Sequence, residues 1–149
     1  MITLAAALSG VTRIGFDTSP IIYFVEASPA YDSIVTDIFQ RIDGGQVFGI
    51  TSSISICEVL IAPIRDGNDE LHAAYKDLLI NSSHFETTPI TADTAELAAL
   101  LRARYKLRTP DALQIASAIE SNCEVFLTND LALKRVTEIR VLVLDELEL

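Results

Sequence analysis

Arg13-Ile-Gly-Phe-Asp-Thr-Ser-Pro20 is the stretch on which the fold turns. Arg13 to Asp17 reads as a short strand ending in an acid, and Ser19-Pro20 has the N-cap plus N1-proline form of a helix start. The helix continues into Ile21–Val25. A strand followed at once by a helix is the repeating step of a parallel sheet wrapped by helices, and ligand sites in such sheets form at the carboxyl ends of the strands.

The same alternation continues outward along the chain. Ile34, Val35, Ile38, Phe39 and Ile42 fall at helical spacing, and Gly44-Gly45 stops that helix. Gln46–Thr51 reads as a second strand, Ser53 to about Ile61 as a helix ended by Pro63 and Gly67, and Leu71, Tyr75, Leu78 and Leu79 as another helix. Phe85–Thr91 is a third strand. Asp93 with Glu96 forms a capping box that opens a helix through Leu97, Leu100 and Leu101. Thr109-Pro110-Asp111 opens the next helix, with Ala112, Ile115, Ala116 and Ile119 as its buried face. Glu124–Thr128 is a strand followed by Asn129-Asp130, and Arg140–Leu144 is the last strand. The expected fold class is α/β, a three-layer α/β/α arrangement around a mainly parallel sheet of four to five strands.

At 149 residues the chain has the length of one domain, 1–149. Half of its residues are hydrophobic and 21% are charged, which excludes intrinsic disorder. Cys57 and Cys123 are the only cysteines, in no metal-binding spacing, which fits a reducing cytoplasm. No apolar run has the length of a membrane span, and the first ten residues lack the basic region of a secretory signal. Residues 1–13 read as a short extension, either an extra helix or a start site set too early.

Eleven Lys and Arg against 21 Asp and Glu give a net charge of −10. That sign excludes broad electrostatic binding of nucleic acid and leaves only a local basic strip or bound cations. Arg102, Arg104, Lys106 and Arg108 form such a strip, either as phosphate contacts or as a solvated helix end.

Four acids occupy special positions. Asp17 and Asp130 follow strands, Asp111 lies at a helix start, and Glu58 lies in a helix after a strand. Singly, Asp111 reads as a helix-starting acid and Asp130 as turn chemistry. Glu58 stands among Ile54, Ile56, Cys57, Val59, Leu60 and Ile61, so its helix is expected to be buried all round and Glu58 to need a partner or a cation. Two carboxylates about 5 Å apart repel by roughly 3 kcal/mol at an effective dielectric near 20. A hard cation such as Mg²⁺ or Mn²⁺ offsets that repulsion with oxygen ligands alone, and supports hydrolysis of phosphodiesters.

Phe16–Phe24, Ser55–Pro63, Tyr105–Ala118 and Val125–Asp130, in that order, resemble the successive motifs of the PIN-domain ribonucleases, and among these the VapC-like toxins of toxin–antitoxin pairs. The resemblance runs from about Ile14 to Leu144. It implies that Asp17, Glu58, Asp111 and Asp130 form an acidic metal site for Mg²⁺ or Mn²⁺, with Thr128 as a hydroxyl residue beside the last acid. It further implies an endoribonuclease acting on RNA, a cognate antitoxin protein, a homodimer and a cytoplasmic location.

Other readings fit less well. A phosphoacceptor receiver needs an acidic pair at the first strand, and a haloacid-dehalogenase phosphatase needs Asp-x-Asp where this chain has Asp17-Thr18-Ser19. A housekeeping PIN nuclease and a catalytically silent PIN scaffold remain as alternatives. His72 and His84 lie on different elements without a third ligand, Cys57 is expected to be a small buried residue, and the tail Asp145–Leu149 a solvated end.

Overall fold

The structure is a computed structural model that describes residues 1–149. In chain order its elements are β1 (Ile2–Thr3), α1 (Leu4–Ala7), β2 (Arg13–Phe16), α2 (Thr18–Val25), α3 (Asp32–Asp43), β3 (Phe48–Ser52), α4 (Ser53–Asp66), α5 (Asp69–Asn81), β4 (Phe85–Thr88), α6 (Ala92–Tyr105), α7 (Thr109–Glu120), β5 (Val125–Thr128), β6 (Arg140–Val143) and β7 (Leu147–Glu148). Short 3₁₀ turns occupy Leu131–Arg135 and Leu144–Glu146.

Five strands form one parallel sheet in the order β4-β3-β2-β5-β6, with Gly15 opposite both Ile50 and Phe126. The chain builds outward from β2 to β4, then crosses back through α6 and α7 to place β5 on the other side of β2. The direction of winding therefore reverses between β2 and β5, and such a reversal opens a crevice at the carboxyl ends of the two strands.

Helices cover both faces, so the strands are apolar on both sides. Ile14 and Phe16 face α3 and α5 through Val35, Phe39, Tyr75 and Leu79, while Ile50 and Phe126 face α6 and α7 through Leu101, Ala112, Ile115 and Ala116. The α7 face is small because the helix lies almost on the sheet. A Cβ at Gly15 would stand 2.5 Å from the Ala118 Cβ, so only glycine permits that approach. No helix is long and apolar enough to cross a membrane.

Local details depart from the sequence expectations. The N-cap of α2 is Asp17, whose carboxylate accepts the Thr18 amide; Ser19 and Pro20 already lie inside the helix. The strand passes into the helix with no intervening loop, so the strand-end acid takes the cap. Helix α4 runs through Pro63 to Asp66 and stops where Gly67 adopts a left-handed φ of 65°. Pro63 forfeits one backbone bond but is buried, and the left-handed residue sets the end. Helix α6 is capped by Thr91 with Thr94, two hydroxyls bonding reciprocally, instead of Asp93 with Glu96.

The tail is not a solvated end. Strand β7 pairs in parallel with β1, Leu147 is buried, and Leu4, Ala7 and Leu8 are buried with it. Residues 1–13 thus contribute a strand and a helix turn to the packed structure.

Candidate active site

The crevice between β2 and β5 opens into a cleft of about 270 Å³ whose lining includes Asp17, Glu58, Asp111 and Asp130. Four elements deliver these acids. Asp17 joins β2 to α2, Glu58 lies on α4, Asp111 is the third residue of α7, and Asp130 follows β5. All four acids expected from the sequence share one cleft, but no three close on a point as a preformed metal cage.

Asp17 is the most enclosed of them. Its Oδ1 accepts the Thr18 amide at 2.9 Å, and its Oδ2 accepts the Thr128 hydroxyl at 2.7 Å. Burial raises its pKa above the ordinary carboxylate value, and the Thr128 and Thr18 hydrogen bonds oppose that rise. The negative charges of Asp111 and Glu58 raise it further. Thr128 is fully buried and its oxygen also accepts the Asp130 amide at 3.1 Å, so one hydroxyl ties two of the acids together. Asp130 itself is exposed and accepts the Ala132 amide, which opens the adjoining 3₁₀ turn.

Asp111 is buried but already has a cation. Arg108, at the N-cap of α7, places Nε 3.1 Å from Asp111 Oδ2 and Nη2 3.4 Å from Oδ1. That contact raises the Arg108 pKa still higher, so the guanidinium is a permanent positive charge at the mouth of the cleft.

Glu58 is not buried. Its helix packs on one side only, leaving Cys57, Glu58, Ile61 and Ile64 exposed. The expectation of a helix buried all round fails because an apolar sequence does not guarantee neighbours on every side. Cys57 is exposed for the same reason. Glu58 nevertheless has the expected partner, since its Oε1 accepts the Thr18 hydroxyl at 2.7 Å.

Beneath the acids lies a buried polar network that sequence reasoning missed. Gln114 Nε2 donates to Thr18 Oγ1 at 3.0 Å and to Ser55 Oγ at 2.8 Å, and Gln114 Oε1 accepts the Ser52 hydroxyl at 2.6 Å. Thr51 donates to the Phe16 carbonyl at 3.0 Å and lies 2.8 Å from Ser55 Oγ. Both Gln114 hydrogens go to hydroxyl oxygens, so Thr18 keeps its own hydrogen for Glu58, and Ser55 has its own for Thr51 at 2.8 Å or Thr18 at 3.1 Å. The visible signals were the hydroxyl run Thr51-Ser52-Ser53 with Ser55, and one long polar residue on the otherwise small face of α7.

The PIN domain family matches residues 14–139. The chain belongs to the PIN domain family. No curated protein sequence matches it. Among solved structures, this PIN domain has the fold of VapBC2 from Rickettsia felis bound to a promoter DNA fragment, with a TM-score of 0.70 and 18% identity over 89% of this chain and 98% of that one. It is also similar to a toxin–antitoxin complex from Klebsiella pneumoniae, at 0.64 and 21% over 89% and 98%. VapC20 from Mycobacterium tuberculosis, described as a toxin that cleaves the sarcin–ricin loop, aligns at 0.65 and 17% over 87% and 99%.

In this PIN domain the basic strip is largely engaged by protein groups. Arg102 closes the end of α6 by donating to the Leu107 carbonyl at 2.7 Å and to Thr109, Arg104 pairs with Glu138, and Arg108 pairs with Asp111. Lys106, at the left-handed C-cap of α6, is exposed.

Proposed function

We propose that this PIN domain is a divalent-metal-dependent endoribonuclease, a hydrolase of RNA phosphodiester bonds, acting as the toxin of a toxin–antitoxin pair. The observation that carries the reading is the meeting of Asp17, Glu58, Asp111 and Asp130 in one cleft at the winding reversal of the sheet. Burial first, and then the charges of Asp111 and Glu58, raise the proton affinity of Asp17, and a cation bound among the acids would offset that cost.

The donor set is all oxygen, with no His or Cys, which suits Mg²⁺ or Mn²⁺. Arg108 on Asp111 also indicates that the cleft accepts positive charge. Asp17, Glu58, Asp111 and Asp130 would hold the ion, which supplies Lewis-acid chemistry to the attacking water and the scissile phosphate. Thr128 holds the Asp17 carboxylate in place, Thr18 holds Glu58, and Arg108 offers a phosphate-compatible guanidinium at the mouth.

The reading includes a cognate antitoxin, a homodimer and a cytoplasmic location. The exposed apolar side chains Ile61 and Ile64 on α4, near Glu58, support a protein partner. A partner whose apolar segment covers α4 and reaches the acids with an Arg or Lys would neutralise the cleft.

Sequencing of RNA ends after induced expression tests the reading. Wild type should produce new cleavage ends and arrest growth, co-expression of a neighbouring small gene should relieve the arrest, and Asp17→Asn should do neither harm nor cleavage. An Asp17→Asn chain that yields the same ends refutes it.

A further inference from the structure

Helix α2 presents Ser19 and Tyr23 to the cleft, four residues apart and hence on one face of the helix. The Tyr23 ring is held firmly. It stacks on Tyr31 with centroids 4.4 Å apart and planes 13° from parallel. Tyr31 in turn donates to Asp145 at 2.7 Å and accepts from Asn129 at 2.9 Å, and Asn129 Oδ1 accepts the Asp145 amide at 3.2 Å.

The Tyr23 hydroxyl differs from its neighbours. Its one protein contact is as the acceptor of a long 3.5 Å approach from Asn129 Nδ2, so its own hydrogen is free. Thr18 gives its hydrogen to Glu58, Arg108 commits Nε and Nη2 to Asp111, and Asn129 serves Tyr31, so the neutral donors left free in the cleft are the two α2 hydroxyls, Ser19 and Tyr23. The carboxylates can only accept. An anionic strand entering this cleft meets carboxylate acceptors on most sides, the Arg108 guanidinium at the mouth, and on α2 a neutral donor at Tyr23 whose ring is fixed by its stack on Tyr31.

We propose that the Tyr23 hydroxyl donates a hydrogen bond to an acceptor oxygen of the RNA backbone and so seats the strand against the carboxylates. The inference rests on the ribonuclease reading above and adds a substrate-binding residue to it. The acceptor chemistry is shared by a non-bridging phosphate oxygen and a ribose 2′-hydroxyl. Because the donor is present before and after bond cleavage begins, its loss weakens binding of substrate and transition state alike, which raises KM and spares kcat.

Tyr23→Phe is the test, since it keeps the ring and its stack and removes only the donor. Steady-state cleavage of a single-stranded RNA oligonucleotide should give a KM raised about tenfold with kcat within about twofold, the magnitude of one hydrogen bond to a charged acceptor. The melting temperature of the variant should match that of wild type. Oligonucleotides carrying one neutral methylphosphonate, or one 2′-deoxy sugar, at successive positions then name the acceptor. The Tyr-to-Phe difference should vanish at one position, in the first series for a phosphate contact or in the second for a ribose contact. An unchanged KM in a wild type that does cleave RNA overturns the inference and leaves the ribonuclease reading standing. A difference that survives every backbone substitution, or that accompanies a lowered melting temperature, also overturns it. A wild type that neither binds nor cleaves RNA overturns both.

Discussion

Thr128 and Asp17 are joined by a 2.7 Å hydrogen bond in which the buried hydroxyl donates, and the same oxygen accepts the Asp130 amide at 3.1 Å. The ends of β2 and β5 are thereby coupled through one side chain. Thr128→Val removes the donor while keeping the shape. It should lower the unfolding free energy by about 1–3 kcal/mol, the cost of leaving a buried charged acceptor short of a partner. Thr128→Ser should recover most of the loss in urea denaturation. A valine variant as stable as wild type would show that water replaces the hydroxyl at no cost.

The pKa of Asp17 is raised, chiefly by burial. A carboxyl that ionises less readily folded than unfolded opposes folding once both states are charged. That opposition fades as pH falls through the raised value toward the ordinary one of about 3.9. Without metal, Asp17→Asn should therefore be more stable than wild type at neutral pH, with the gap narrowing across that window. Unfolding free energies of the two proteins measured from neutral to acid pH check the sign. A gap that widens on acidification contradicts it.

Gln114 connects three hydroxyl residues under the cleft, and Thr18 passes that order on to Glu58. Gln114→Leu strands the Ser52 donor and frees Thr18 to reorient. It should cost about 2 kcal/mol or more in stability, at roughly 1–3 kcal/mol per buried group left unpaired. A stability equal to wild type in denaturant titration would mean the network is no more than a packed filler.

If this chain binds RNA as proposed, the basic strip should contribute less than its charge count suggests. Arg104 is held by Glu138 and Arg102 by the Leu107 carbonyl, whereas the Lys106 side chain is exposed at the end of α6. Each phosphate contact on a single strand adds about −0.7 to the slope of log affinity against log salt. Lys106→Ala should flatten that slope by about 0.7, and Arg104→Ala should leave it unchanged. Equal slopes for all three proteins would remove Lys106 from the interface.

Most of the framework was legible because short apolar strands and helical spacing report burial directly. Asp17 through Pro20 shows where such reading fails. Ser-Pro has the local form of a helix start, yet the helix begins one residue after Asp17, because the sheet ends there and the acid itself caps α2. Glu58 lines the cleft, but not as a buried residue. Its apolar neighbours suggested burial, but which side of α4 meets other helices is a tertiary fact that no local window holds. Gln114 was missed since its partners lie 59 to 96 residues away in sequence. The pairing of β1 with β7 was invisible for the same reason: two-residue strands carry no periodicity, and only the closing of the fold brings the chain ends together.

The central claim is that the acids of this cleft act together, through a divalent cation, to cleave RNA. It is tested most directly by incubating the purified chain and its Asp111→Asn variant with single-stranded RNA in Mn²⁺ or Mg²⁺, and again with the metal chelated. The account predicts cleavage by wild type that chelation abolishes and that Asp111→Asn slows by a factor of about 100 or more, the scale on which a group acting in the transition state is missed. Cleavage at the wild-type rate by Asp111→Asn, or undiminished cleavage in chelator, would contradict it.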